Sequence, residues 1–182
     1  MRYLATRALL LSTLLLGCSG SVDSRTRLSI FAASSLTDSF QDLASEFEAQ
    51  NPSIAVELAF AGSQILRLQI EQGASVDLFA SANQKHLQEL VDDGYMGSPK
   101  VFASTDLVMI VPIANPAEIE TFQDLTKASR IVLGNEFSPI GLYTLEVLER
   151  ATADLGASFG SVVSERITSL ENNVRMVRAK VE

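Results

Sequence analysis

The sequence contains very few of the side chains that carry nucleophilic or metal chemistry. Among its 182 residues there is one cysteine, Cys18, and one histidine, His86. A single cysteine excludes an internal disulfide and a cysteine cluster for a metal. Serine hydrolase chemistry would have to use His86 as its base, and no serine lies in a Gly-x-Ser-x-Gly motif. Because His86 falls in an amphipathic helix pattern, we expect it at the surface, and a serine hydrolase remains only a remote alternative.

Basic residues are also scarce. Fourteen Lys and Arg stand against 22 Asp and Glu, which gives a formal net charge of −8. Residues 1–17 contain two arginines and no acid, so without them the charge is −8 − 2 = −10. Nucleic acid is disfavoured as a partner, because phosphate neutralisation needs clustered Lys and Arg. Any anion site in this chain must rely on locally oriented dipoles.

The N-terminus has the pattern of an export signal. Two arginines precede an apolar run over residues 8–16, which is too short to cross a bilayer as a finished helix. The sequence Leu15-Leu16-Gly17-Cys18 resembles the bacterial lipobox, in which the cysteine is lipidated and becomes the mature N-terminus. We therefore expect a signal peptide at 1–17 and a lipidated, flexible tether at 18–27. The alternative is a secretory signal without lipid.

Beyond residue 27, short apolar runs alternate with helix patterns, which is typical of a mostly parallel sheet covered by helices. The strands are predicted at 28–32, 54–60, 78–81, 107–111, 130–134 and 165–169. The helices are predicted at 36–50, 63–72 and 84–93, from 139 to about 156, and from 172 onward. We expect two lobes, 28–105 and 106–182.

Two of the predicted junctions between strand and helix carry serines. Ser35 follows the first strand, and Ser63 follows the second. A helix start has unpaired backbone N–H groups and a partial positive charge, and can hold an anion. The two junctions together suggest a shared anion site. Serine is also a favoured helix cap, and either junction alone is better explained by ordinary capping.

Several segments, taken in their order and spacing, resemble the extracytoplasmic molybdate-binding proteins of ABC transporters. The likeness covers residues 28–182 and rests on segments 31–37, 60–63, 69–74, 76–82, 134–135, 139–143 and 171–175. It implies an α/β protein with the two-lobed type II periplasmic-binding-protein fold, in which each lobe is a mostly parallel sheet flanked by helices. It also implies a monomeric binding protein without a cofactor.

The resemblance assigns the anion contacts residue by residue. Ser35 and Ser63 match positions that donate from a hydroxyl and an N–H group. Ile140 and Val174 match positions that donate from the backbone N–H alone. Arg175 is expected to be a helix-surface residue and not a counterion.

The family's last ligand is a tyrosine in a Gly-Ile-Val-Tyr-like strand, and the 182 residues contain no such segment. A buried dianion needs its oxygens well supplied with donors. We therefore expect this chain to be a fragment with its last strands missing, which binds weakly or not at all, and a longer gene product to bind tightly.

The resemblance implies capture of molybdate, and also of tungstate, for delivery to a membrane ABC permease. Cavity size would separate these anions from sulfate. A receptor for sulfate, phosphate or another oxyanion is the alternative within this class. An effector domain of a transcriptional regulator is a further alternative, which the export signal disfavours.

Overall fold

The computed structural model describes residues 24–181, in which two separate parallel sheets are each covered by helices. The strands are β1 Thr26–Ala33, β2 Ile54–Ala61, β3 Leu78–Ala80, β4 Ile131–Gly134 and β5 Ile167–Glu171. The helices are α1 Thr37–Gln50, α2 Ser63–Glu71, α3 Gln84–Asp92, α4 Pro139–Leu155, α5 Ala157–Glu165 and α6 Val174–Ala179, with 3₁₀ segments at Ser34–Leu36 and Phe122–Lys127. The predicted signal peptide and Cys18 lie outside the described residues. Within the described part, no helix is long and apolar enough to cross a membrane.

The first sheet has the order β2-β1-β3, with β1 parallel to both neighbours. Ala33 is paired with Ala61, so β1 and β2 end side by side at one edge of the sheet. The core below is apolar and consists of Leu66, Ile70, Phe79 and Leu90. We call the elements from β1 to α3, residues 26–92, unit A.

The second sheet consists of the parallel pair β4 and β5. Its core lies between the strands, the second 3₁₀ segment and α5, and is formed by Ala128, Ile131, Phe159 and Val163. Helix α4 begins with Pro139 in its first turn, after Ser138 as N-cap. We call the elements from the second 3₁₀ segment to α6, residues 122–179, unit B.

The predicted strand at 107–111 is wrong. Residues 97–112 form no regular secondary structure. A strand needs a hydrogen-bonded partner, and this segment pairs with no strand of the described residues. Its apolar side chains instead line a cavity of about 500 Å³ beside β4. The predicted lobe boundary at 105/106 falls within this segment, and it stays a prediction.

The sequence reading also missed α5. The pattern predicted that the fourth helix ends near Gly156, and α4 does end at Leu155. Gly156 has a φ of +96°, a conformation that glycine adopts without strain, and a further helix begins at the next residue. The last strand accordingly lies two residues later than predicted, at Ile167–Glu171.

Candidate functional site

Ser35 and Ser63 lie at the same edge of the first sheet. Each stands two positions beyond the paired residues Ala33 and Ala61. Ser63 is fully buried as the first residue of α2, and its hydroxyl accepts a hydrogen bond from the N–H of Ala82 at 3.0 Å. The hydroxyl proton of Ser63 therefore remains available to donate. Ser35 is exposed within the 3₁₀ turn that connects β1 to α1.

Unit B contributes the starts of α4 and α6, where Ile140 and Val174 lie. The N-cap Ser138 accepts from the N–H of Gly141, and the N-cap Asn173 accepts from the N–H of Met176. Among the hydrogen bonds of residues 24–181, the N–H groups of Ile140 and Val174 are not donors. First-turn N–H groups of a helix have no acceptor within the helix. Both predicted contacts therefore present a free backbone donor.

Asn172 joins the turns that carry these donors. Its carbonyl accepts from the side-chain amide of Gln64 at 2.8 Å, and its own side chain accepts from Asn135 at 2.6 Å. The 3₁₀ turn that contains Ser35 packs against α6. The starts of α2 and α6 thus meet across the boundary between units A and B, with Ser63 next to Gln64 and Val174 close after Asn172.

Gln64, Asn172 and Asn135 were not predicted as site residues. Asn172 lies in one of the segments that carry the family resemblance, but nothing in the pattern assigns a role to it. An uncharged side chain that bonds to a backbone carbonyl over 100 positions away leaves no periodicity in the sequence. Only the structure shows this contact.

The prediction that His86 is a surface residue is wrong. His86 is 4% exposed, and its Nε2 lies 3.0 Å from the carbonyl oxygen of Phe137 in the turn before α4. Its Nδ1 faces a carboxylate oxygen of Glu89 at 3.4 Å. Burial lowers the pKa of His86 below its ordinary value. Neither nitrogen contacts a serine, so the geometry gives no support to a serine hydrolase.

The charges around the site are paired with one another. Residues 33–35, 61–64 and 138–141 contain no Lys, Arg or His. Arg175, next to Val174, is exposed as predicted and binds both carboxylate oxygens of Asp38 at 3.1 Å. This bond and the attraction of Arg175 hold the pKa of Asp38 below its usual value. Within the described residues, no cluster of His, Cys, Asp and Glu is suited to hold a metal ion.

The comparisons with known proteins agree with these observations. The family model for bacterial extracellular solute-binding proteins matches residues 28–182. The molybdate-binding protein ModA of Mycobacterium tuberculosis is 36% identical over 120 residues, which are 65% of this chain and 46% of that protein. The putative ABC transporter substrate-binding lipoprotein YvgL of Bacillus subtilis is 32% identical over 145 residues, which are 75% of this chain and 56% of that protein. The chain therefore spans about half the length of the curated relatives it matches.

A solved structure has a similar fold. The periplasmic molybdate-binding protein of Azotobacter vinelandii aligns with a TM-score of 0.56 at 21% sequence identity, over 85% of this chain and 66% of that protein. The predicted fold class, of the type II periplasmic-binding-protein kind, is thereby confirmed.

Proposed function

The chain belongs to the bacterial extracellular solute-binding proteins, and from this premise we propose that it captures molybdate outside the cytoplasm for delivery to an ABC-type permease. Proteins of this family bind solutes, so the role is binding and not catalysis. Relatives that are named for molybdate binding or for ABC transport support the substrate and the partner. The ligand set also accommodates tungstate, which is likewise a tetrahedral oxyanion.

The observation that supports the proposal is the contact between two turns that carry neutral donors, one from each unit. Ser35 and Ser63 lie at the carboxyl edge of the first sheet. Ile140 and Val174 provide unpaired N–H groups at the starts of α4 and α6. The Gln64–Asn172 bond joins the two sets. Hydroxyls and oriented amides can hold an anion without a full countercharge, and a site of this kind can release its ligand when the units separate.

We propose that the donors themselves are the hydroxyl and N–H groups of Ser35 and Ser63 and the N–H groups of Ile140 and Val174. No cation is assigned a role, because Arg175 is engaged by Asp38. The chain brings no cofactor of its own. We further propose that the protein acts as a monomer.

Membrane attachment through Cys18 is a separate part of the proposal. It rests on the sequence Leu15-Leu16-Gly17-Cys18 and on the description of the Bacillus subtilis relative as a lipoprotein. Growth of expressing cells with a labelled fatty acid should give a labelled protein, and Cys18→Ser should abolish the label. A label that survives the substitution would contradict attachment at this residue.

Amide NMR tests the ligand at concentrations where weak binding is visible. The ¹H–¹⁵N spectrum of the chain is recorded during titration with molybdate, tungstate, sulfate and phosphate, each at up to millimolar concentration. We expect molybdate to shift the amide signals of Ser35, Ser63, Ile140 and Val174 together, with one apparent dissociation constant. The amide of Gly97, far along the chain from every proposed contact, serves as an internal control.

The outcomes separate the parts of the proposal. Shifts at these amides with sulfate or phosphate and none with molybdate would overturn the substrate and leave an oxyanion receptor. Absence of a response to all four anions at these positions would overturn the proposed site.

A further inference from the structure

We propose that Asp38 and Arg175 form an electrostatic latch that holds unit A and unit B together over the anion site. The pair joins the second residue of α1 to the second residue of α6. Two hydrogen bonds of 3.1 Å link the guanidinium to both carboxylate oxygens. Such a bidentate arrangement fixes the orientation as well as the distance of the two helices.

The position of the latch connects it to the site. Asp38 follows Ser35 by three residues, and Arg175 directly follows Val174. The ion pair therefore spans the gap between one proposed contact from unit A and one from unit B. Opening the units must separate these two charges, whereas no ion pair within either unit has to break.

The latch can shift the equilibrium between separated and closed units, but it is too weak to hold the units together permanently. The Asp38 and Arg175 side chains are 77% and 48% exposed. Exposed ion pairs shift an equilibrium by only about two- to fivefold and are weakened by salt. Each partner moves the pKa of the other toward the charged form, so both charges persist at neutral pH.

Two other side-chain hydrogen bonds between the described residues of units A and B cross the same boundary, and neither has this property. The amide of Gln64 bonds to the carbonyl of Asn172, and the ring of His86 bonds to the carbonyl of Phe137. Neither contact joins two opposite charges. Among these three contacts, the latch is the one whose strength should depend on ionic strength.

Pulsed electron paramagnetic resonance can measure the separation of the units without ligand. Spin labels are attached at Ala49→Cys and Ala153→Cys, which are exposed positions on α1 and α4, in the full chain carrying Cys18→Ser. The variants are Asp38→Asn, Arg175→Gln and the charge swap of Asp38→Arg with Arg175→Asp. Arg27→Gln is the matched control, because it removes an exposed 3.0 Å ion pair with Glu57 that lies within unit A.

We expect the ratio of short to long distances to fall about two- to fivefold in Asp38→Asn and Arg175→Gln, to recover in the charge swap, and to stay unchanged in Arg27→Gln. Salt of about 1 M should lower the ratio in the parent. It should have a smaller effect in Arg175→Gln, where only the weaker attraction between Asp38 and Arg178 remains. A distance distribution in Arg175→Gln that matches that of Arg27→Gln would overturn the latch. So would a charge swap that fails to restore the parent distribution.

The expected effect of these variants on molybdate affinity rests on the proposed function, whereas their expected effect on the separation of units A and B does not. If closure favours binding, the apparent affinity for molybdate should fall by the same factor as the closed population. A chain that shows the distance response but binds no molybdate would refute the substrate and retain the latch. A chain that binds molybdate with equal affinity in all variants and shows no distance response would refute the latch alone.

Discussion

Nε2 of His86 lies 3.0 Å from the carbonyl oxygen of Phe137, so the single histidine of the chain joins unit A to unit B. Phe137 directly precedes Ser138, which caps the helix that presents Ile140. The imidazole is buried and bonds to backbone instead of to a reacting group. His86 therefore positions the turn before α4, and its protonation state bears on the stability of that contact.

The free energy of unfolding should fall as the pH is lowered through 6.5, and His86→Gln should remove part of that fall. Burial lowers the pKa of His86 from its ordinary value of 6.5, and the charges of Arg67 and Lys85 act in the same direction. The bond to Phe137 and the charge of Glu71 oppose this shift. The unfolded chain then takes up its proton at a higher pH than the folded chain, so acid favours unfolding.

Urea denaturation at about pH 7.5 and about pH 5.5 measures this linkage in the parent and in His86→Gln. Gln84→Ala, an exposed and uncharged position on α3, controls for the general effect of a substitution in that helix. An equal loss of stability on acidification in the parent and in His86→Gln would show that His86 is not the group responsible.

Ser63→Ala should weaken molybdate binding about tenfold, because a hydrogen bond to a charged ligand is lost. It should also lower the free energy of unfolding by about 1 kcal/mol, since the N–H of Ala82 loses its acceptor. The amide NMR titration with molybdate and urea denaturation measure the two effects. Ser45→Ala is the matched control, because that exposed hydroxyl bonds only to the carbonyl of Gln41 in its own helix. Unchanged affinity in Ser63→Ala would mean that the second serine is assigned wrongly.

The edge with both serines could be predicted from the sequence, because parallel strands that alternate with helices must end on one side. In the structure, Ala33 is paired with Ala61, so the two strands end on the same side as expected. The contacts of His86 and Gln64 could not be predicted in the same way, since each of these side chains bonds to a single carbonyl in the other unit. An amphipathic pattern shows which face of a helix is polar, but not whether a second unit covers that face.

The wrong prediction of a strand at 107–111 has a related cause. Its apolar, β-branched composition favours extended structure, but composition does not supply the neighbouring backbone that makes a strand. The neighbour of β4 in the described residues is β5.

Gly141→Ala should lower the free energy of unfolding by about 2 kcal/mol, although alanine is the better helix former. Gly141 lies in the first turn of α4, where an added Cβ would overlap the backbone carbonyl oxygen of Asn135. The carbonyl of Asn135 cannot move away from the added Cβ without displacing the turn that carries Ile140. Gly97→Ala is the control, because no heavy atom lies within 4 Å of its Cβ position. Thermal or urea denaturation measures the free energy of unfolding of both variants. A gain in stability for Gly141→Ala would show that the turn before α4 can move to make room for the added Cβ.

Lys180→Met should destabilise the protein at neutral pH and have little effect in acid. Glu171 is a buried carboxylate, and both Nζ of Lys180 and Oγ of Ser169 lie 2.5 Å from its Oε1. The bond from Lys180 is the main cause that lowers the pKa of Glu171 below its ordinary value of 4.5. A lowered carboxyl pKa contributes stability that is present above the unfolded pKa and is lost as the pH falls through the folded one.

Glu171 is the last residue of β5, where its backbone carbonyl accepts from the N–H of Asn135 before the chain turns through Asn172 to Val174. Removing the lysine leaves an uncompensated, buried negative charge three residues before Val174, which opposes both folding and the binding of an anion nearby. Adding Glu171→Gln to Lys180→Met should restore much of the stability at neutral pH, because the buried charge is gone. Arg150→Met provides the control, since its 3.8 Å ion pair with Glu146 is exposed on the surface of unit B. Denaturation curves at several pH values measure the effect. If Lys180→Met lost as much stability in acid as at neutral pH, the loss would come from the packing of the lysine stem and not from the charge of Glu171, which would contradict the prediction.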